Sequence, residues 1–238
     1  MNAEYVFKKE KDYCNITKYH EQGYKGKGIT ILNHENKTGH ANMTNSIIKE
    51  IAPEATLINA EVSAVTMNGE LKSFVFLING ERLTPQEMYD KYHPDIMSVS
   101  FIGHNCLKEE ALKPMVDNGL LICCATGNKG SEGVLGMYKH ISFNIGSVSF
   151  INGKVDLNSY SGRGENGEVS FVAFNGDGQG TSAATPFFAA ELALFIQRFG
   201  KYKKDELMQM LPKYCKDIGD DGLDANFGHG VLILPESL

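Results

Sequence analysis

The chain has 238 residues, 42% hydrophobic and 22% charged, which suits one globular α/β domain with a full-sized core. A formal net charge of −6 leaves no basic footprint and argues against nucleic acid as a partner. No stretch is apolar for long enough to span a membrane, and Met1-Asn2-Ala3-Glu4-Tyr5 lacks the basic-then-apolar pattern of a signal peptide.

In chain order, Asp12 to Gly23 has helical spacing and ends at glycine. A turn at Gly26-Lys27-Gly28 leads into a strand, Ile29 to Glu35, whose residues 29, 31, 33 and 35 share a face. A helix can run from His40 to about Glu50, with Thr38 close to its start. Ala55 to Val65 reads as a strand closed by the turn Asn68-Gly69, and Thr84-Pro85-Gln86-Glu87 opens another helix. Then come the strand Ile96 to Phe101, a helix from Glu109 to Asn118, and the strand Leu120 to Thr126. Shorter strands and turns fill Ile141 to Val172, and a last helix covers Lys204 to Leu211. This alternation predicts a three-layer α/β/α fold with a mainly parallel central sheet, built as a single domain over residues 1–238.

The five cysteines are odd in number, and Cys123 and Cys124 adjoin within an apolar strand. They read as buried free thiols in a reducing compartment, so a cytoplasmic setting is expected. Nothing near them favours a thiolate. His93, His104, His140 and His229 are scattered without zinc-ligand spacing, and His34 points away from Glu35, so no metal is expected.

Active residues in such sheets collect at the carboxyl ends of strands. Three segments qualify. The first strand ends at Glu35, with His40 opening a helix after the short loop Asn36 to Gly39. The strand Leu120 to Thr126 runs into Gly127-Asn128-Lys129-Gly130. Gly180-Thr181-Ser182-Ala183-Ala184-Thr185-Pro186 precedes the apolar run Phe187 to Phe199, a helix that can begin at the proline. A helix N-terminus favours negative charge, which suits a serine that attacks a carbonyl and holds the resulting oxyanion. Taken singly, these residues also suit helix caps, turns and a solvated strand end.

The motifs resemble those of the subtilisin-like serine proteases, the subtilase family, nearly end to end. Gly180 to Pro186 matches the family's G-T-S-x-[AS]-[TS]-P at every fixed position, and Ala125-Thr126-Gly127-Asn128-Lys129-Gly130-Ser131 resembles its A-x-G-N-x-G-x segment. His20 to Gly26 and Phe227-Gly228-His229-Gly230-Val231-Leu232 resemble its opening and closing turns. The resemblance implies Ser182 as nucleophile, His40 as base, and Asn128 with the Ser182 N–H as oxyanion donors. In subtilisin, losing the amide donor costs about 10²–10³ in kcat.

Two departures stand out. The family's H-G-T-H-V-A-G reads His40-Ala41-Asn42-Met43-Thr44-Asn45-Ser46, and its D-[ST]-G reads Glu35-Asn36-Lys37. Glu35 reaches about 1.5 Å farther than aspartate, and glutamate completes triads on other folds. Were Asn33 in that role instead, its amide would favour the wrong imidazole tautomer, a change that costs about 10⁴ in kcat elsewhere. Ile47 to Pro53 runs straight into Glu54 to Leu57, without the cage a calcium site needs.

The resemblance further implies Ser100-Phe101-Ile102 as an edge to which a peptide adds as a strand, and Ala125-Thr126-Gly127 as the opposite pocket wall. Peptide-bond hydrolysis through an acyl-enzyme needs no cofactor, and its partner is a peptide or protein substrate. Family members usually carry a removable N-terminal folding domain; the mature-like opening lies within about 20 residues of Met1, so none is evident, and the chain either folds unaided or starts after it. Two rivals remain open at this point: a catalytically impaired subtilase fold used as a binding or regulatory module, and a non-proteolytic acyl hydrolase or transferase.

Overall fold

The computed structural model describes residues 7–35, 39–67, 70–100, 109–136, 138–165, 168–176 and 180–238. The chain opens with α1 (Lys8–Tyr13) and α2 (Ile16–Glu21), then β1 (Thr30–His34), α3 (Gly39–Ile51), β2 (Thr56–Met67), β3 (Glu70–Ile78), β4 (Glu81–Leu83) and α4 (Pro85–Tyr92). It continues through β5 (Ile96–Val99), α5 (Glu109–Asp117), β6 (Leu121–Ala125), β7 (Phe143–Ile151), β8 (Lys154–Leu157) and β9 (Phe171–Phe174). The last elements are α6 (Thr181–Phe199), α7 (Lys204–Met210), β10 (Cys215–Lys216) and β11 (Val231–Leu232).

The strands form one sheet in the order β10-β11-β9-β7-β6-β5-β1-β2-β3-β4, with β8 paired to β7. Its centre, from β11 and β9 through to β2, is parallel; β3, β4, β8 and β10 join antiparallel. Successive side chains of a strand point to opposite faces, and each face here meets its own core. Ile31 and Cys123 join Ile47, Phe143, Phe187 and Phe188 on one side. Leu32, Ile122 and Cys124 join Phe76, Met88, Met97 and Leu112 on the other. The adjacent thiols of Cys123 and Cys124 therefore enter different cores, and burial pushes the Cys123 thiol up. α6 is the central helix: Ala183 to Ile196 are all buried, and it packs against α3 and the sheet.

Three elements depart from the sequence expectation. The helix expected over Asp12 to Gly23 is two helices, because Asn15 adopts a left-handed φ of 61° between them. α6 begins at Thr181, before Pro186, so the proline lies inside it. The missing N–H there would have met the Ser182 carbonyl. Residues 70–83, unassigned from sequence, form the antiparallel strands β3 and β4, with Asn79 and Gly80 at positive φ in the two-residue turn between them. Residues 14–19 and 234–235 are joined. Asn15 Nδ2 and Tyr19 Oη donate to the carbonyls of Leu234 and Pro235 at 3.0 and 2.5 Å, and Leu234 N donates to Cys14 O at 3.1 Å.

Candidate active site

Register brings the site together. His34 pairs with Val99 and Val99 with Cys124, so Glu35, Ser100 and Ala125 come level at the carboxyl edge of three adjacent parallel strands. α3 and α6 both start at this edge, with His40 and Ser182 each the second residue of its helix.

Glu35 follows β1, is 5% exposed, and donates its backbone N–H to Ala60 O at 2.9 Å. Its Oε1 lies 3.0 Å from Nδ1 of the half-buried His40. The hydrogen bond to Glu35 holds the imidazole above its ordinary pKa of 6.5; partial burial opposes this, and the charge of Glu35 reinforces it. With Nδ1 engaged, Nε2 is the nitrogen left for proton exchange. Asn33, the alternative occupant of that role, is turned elsewhere: its Nδ2 donates to Thr44 Oγ1 and Asn45 Oδ1, both at 2.8 Å, within α3. His34 is fully buried against the edge of the Phe76 ring, on the opposite face from Glu35, and burial lowers it to about 3.

The Ser182 hydroxyl donates to the backbone carbonyl of Ser100 at 2.7 Å. Its proton is thus held by the end of β5 rather than by His40. Phe101 and Ile102, the rest of the expected substrate edge, lie outside the described residues. Ala125, Thr126 and Gly127 are buried, and much of their backbone is already paired. Thr126 N donates to Ile145 O, Leu135 N to Thr126 O, and Gly162 N to Gly127 O at 2.8–3.1 Å. Thr126 and Gly127 can wall a pocket, but these groups are not offered to an incoming strand.

Asn128 is the exposed residue that follows. Its Oδ1 accepts from Thr181 N at 2.8 Å and from Thr181 Oγ1 at 3.0 Å. An N–H can only donate, so the atom facing Thr181 N is the oxygen, and the NH₂ is left for an incoming acceptor. Gly180 makes room for this. Its φ is +76°, and a Cβ there would stand 2.5 Å from Asn128 Nδ2. Thr181 Oγ1 also accepts from Gly127 N at 3.2 Å, tying the two loops together. The sequence singled out the serine motif but gave Thr181 no role of its own; the signal was its place between the fixed glycine and serine.

Among the described residues, no group of three or more His, Cys, Asp or Glu is arranged to hold a metal ion, and no helix is long and apolar enough to cross a membrane.

A helix-flanked, mainly parallel sheet with His, Glu, Ser and Asn gathered at its carboxyl edge defines a subtilisin-like protein. Residues 27–230 match the sequence profile of the Subtilase family, and the chain belongs to that family. It is 28% identical over 195 residues to the Minor extracellular protease Epr of Bacillus subtilis (strain 168), covering 78% of this chain and 29% of that protein. It is 31% identical over 193 residues to the Major intracellular serine protease of the same organism, covering 72% of this chain and 55% of that one. The chain thus spans about a third and about half of the lengths of these two relatives. The crystal structure of a lanthipeptide protease superposes with a TM-score of 0.68 at 16% identity, covering 96% of this chain and 94% of that one, which shows the shared fold.

Proposed function

We propose that this chain is a serine endopeptidase that hydrolyses peptide bonds through an acyl-enzyme on Ser182. The observation that carries the reading is the 3.0 Å pair of Glu35 and His40 at the same sheet edge as Ser182. In this reading the Ser182 hydroxyl turns from the Ser100 carbonyl to His40 Nε2, which takes its proton as Oγ attacks the substrate carbonyl. Glu35 holds the imidazole in place and stabilises its charge. The oxyanion is met by the Ser182 N–H and by Asn128 Nδ2, whose direction Thr181 fixes. His40 then gives its proton to the departing amine, and water repeats the sequence on the acyl-enzyme.

The substrate has a second edge to pair with, which the sequence did not reveal. β1 stops at His34, opposite Ala60, while β2 runs on to Met67 with β3 along its other side. From Glu61 onward, the side of β2 that faced β1 has no strand partner among the described residues. An extended peptide lying over Ser100 would add to it. The cytoplasmic setting is part of the same reading, supported by the free, fully buried thiols of Cys14 and Cys123.

A fluorophosphonate probe tests the reading. It should label Ser182 in the folded protein; Ser182→Ala should abolish labelling and His40→Ala should remove nearly all of it. A folded wild type that resists the probe overturns the peptidase. The hydrogen bond from Ser182 to Ser100 favours one alternative, a peptide-binding module with a silenced serine. That module would bind peptides and leave both probe and peptide intact.

A further inference from the structure

We propose that a cavity beside Glu35 is a subsite for a basic side chain of the bound peptide, selected by Glu61; this deepens the peptidase reading and rests on it. The cavity follows from two mismatched lengths. β2 outruns β1, and α3 begins only at Gly39, so the far ends of β2 and β3 extend beyond the helix that covers the rest of that face.

The residues on that face change character accordingly. Leu57 packs against the core, and at the strand period of two come exposed Asn59 and half-buried Glu61. Leu77 of β3 sits opposite Glu61, and Asn79 follows in the turn. Together with Asn42 and Asn45 of α3 they enclose about 580 Å³ that reaches Glu35. That volume falls within the range of binding pockets and exceeds one side chain.

The lining has one electrical sign. Its charged groups among the described residues are Glu35 and Glu61, with carboxamides between them and no Lys, Arg or His. Glu35 is already committed to His40, whereas Glu61 has no ion-pair partner among the described residues. A guanidinium or ammonium brings donors only, and this wall offers carboxylate and amide oxygens to receive them. Leu77 and Ala41 supply apolar surface for an aliphatic stem. Because the cavity begins at the carboxylate that contacts His40, its occupant lies close to the scissile bond.

The test uses fluorogenic peptides that carry arginine or citrulline, alike in shape but differing in charge, at each position around the cleaved bond in turn. At one position the wild type should favour arginine in kcat/KM by about tenfold. Glu61→Gln should bring that ratio to about one, and Glu61→Lys should invert it. The same peptides are then titrated calorimetrically into Ser182→Ala, with and without Glu61→Gln. An arginine preference in binding that Glu61→Gln abolishes keeps the subsite even if no peptide is turned over, in which case the peptidase reading alone has failed. Equal treatment of arginine and citrulline in both assays, or a preference indifferent to Glu61, overturns the subsite.

Discussion

Thr181 holds the carboxamide of Asn128 with two donors at once, its backbone N–H at 2.8 Å and its hydroxyl at 3.0 Å, both on Oδ1. The hydroxyl in turn receives the N–H of Gly127. In the proposed reaction Thr181 is therefore a positioning residue, setting which end of the amide would meet an oxyanion. Thr181→Val keeps the shape, removes one donor from Oδ1 and strands a buried N–H. The expected result is a fall in kcat of about tenfold with KM little changed, and recovery in Thr181→Ser. Steady-state kinetics on one peptide substrate decide it; a change confined to KM would count against the role.

Gly180 and Asn128 should behave as one unit. A methyl at residue 180 meets the Asn128 amide and forces a side chain into left-handed backbone. Gly180→Ala and Asn128→Ala should each lower kcat by about 10²-fold, and the double variant should be no slower than either. Additive losses would show that the glycine serves some other end.

In the proposed reaction the Glu35–His40 pair would set the acid limb of activity. The base works neutral, and Glu35 holds its pKa above 6.5, so the wild-type kcat/KM profile should fall away on the acid side at a midpoint above 6.5. Glu35→Gln should move that midpoint down while lowering the plateau. The sign for stability runs the other way along the pH axis. A raised folded pKa means the pair's stabilisation is complete below 6.5 and disappears as pH rises through the folded value. Activity and pair stability should thus trade places across one titration, followed by turnover and by thermal melting.

Glu191 sits inside the central helix, 1% exposed, with Oε1 unpartnered among the described residues and the Cys14 thiol close enough to its carboxyl to influence it. Burial pushes its pKa well above the usual carboxylate value, and the Cys14 contact only partly offsets that. The folded state then holds a proton that the unfolded state releases, so stability should drop as pH rises above the ordinary carboxylate range. Glu191→Gln should flatten that drop and raise the melting temperature at pH 9 by about 5 °C. An unchanged slope between pH 5 and pH 9 would refute it.

How much of this was legible depended on whether the information was local. The serine motif is one continuous stretch, and the loop of four residues between Glu35 and His40 forces acid and base to be neighbours, so both showed in the sequence. Thr181 did not. Its task depends on Asn128, 53 positions away, and only folding brings the two together. The hairpin over residues 70–83 was signalled after all: Asn79-Gly80 is a two-residue turn sequence like Asn68-Gly69, and two such turns eleven residues apart describe a meander. The start of α6 is hidden from the sequence because proline suits a first helical turn, whereas the helix already runs from Thr181, with Ala183 N donating to Gly180 O at 3.1 Å. Asn15 broke a helix that periodicity alone allows, since asparagine tolerates left-handed backbone where most residues do not.

The seam between residues 14–19 and 234–235 gives the domain the connectivity of a closed loop: a path that leaves along the first helices returns beside them. Tension pulling residues 14–19 away from 234–235 would load that seam before it reached the central strands, so the sheet edge that carries His40 and Ser182 would be mechanically shielded by contacts remote from it.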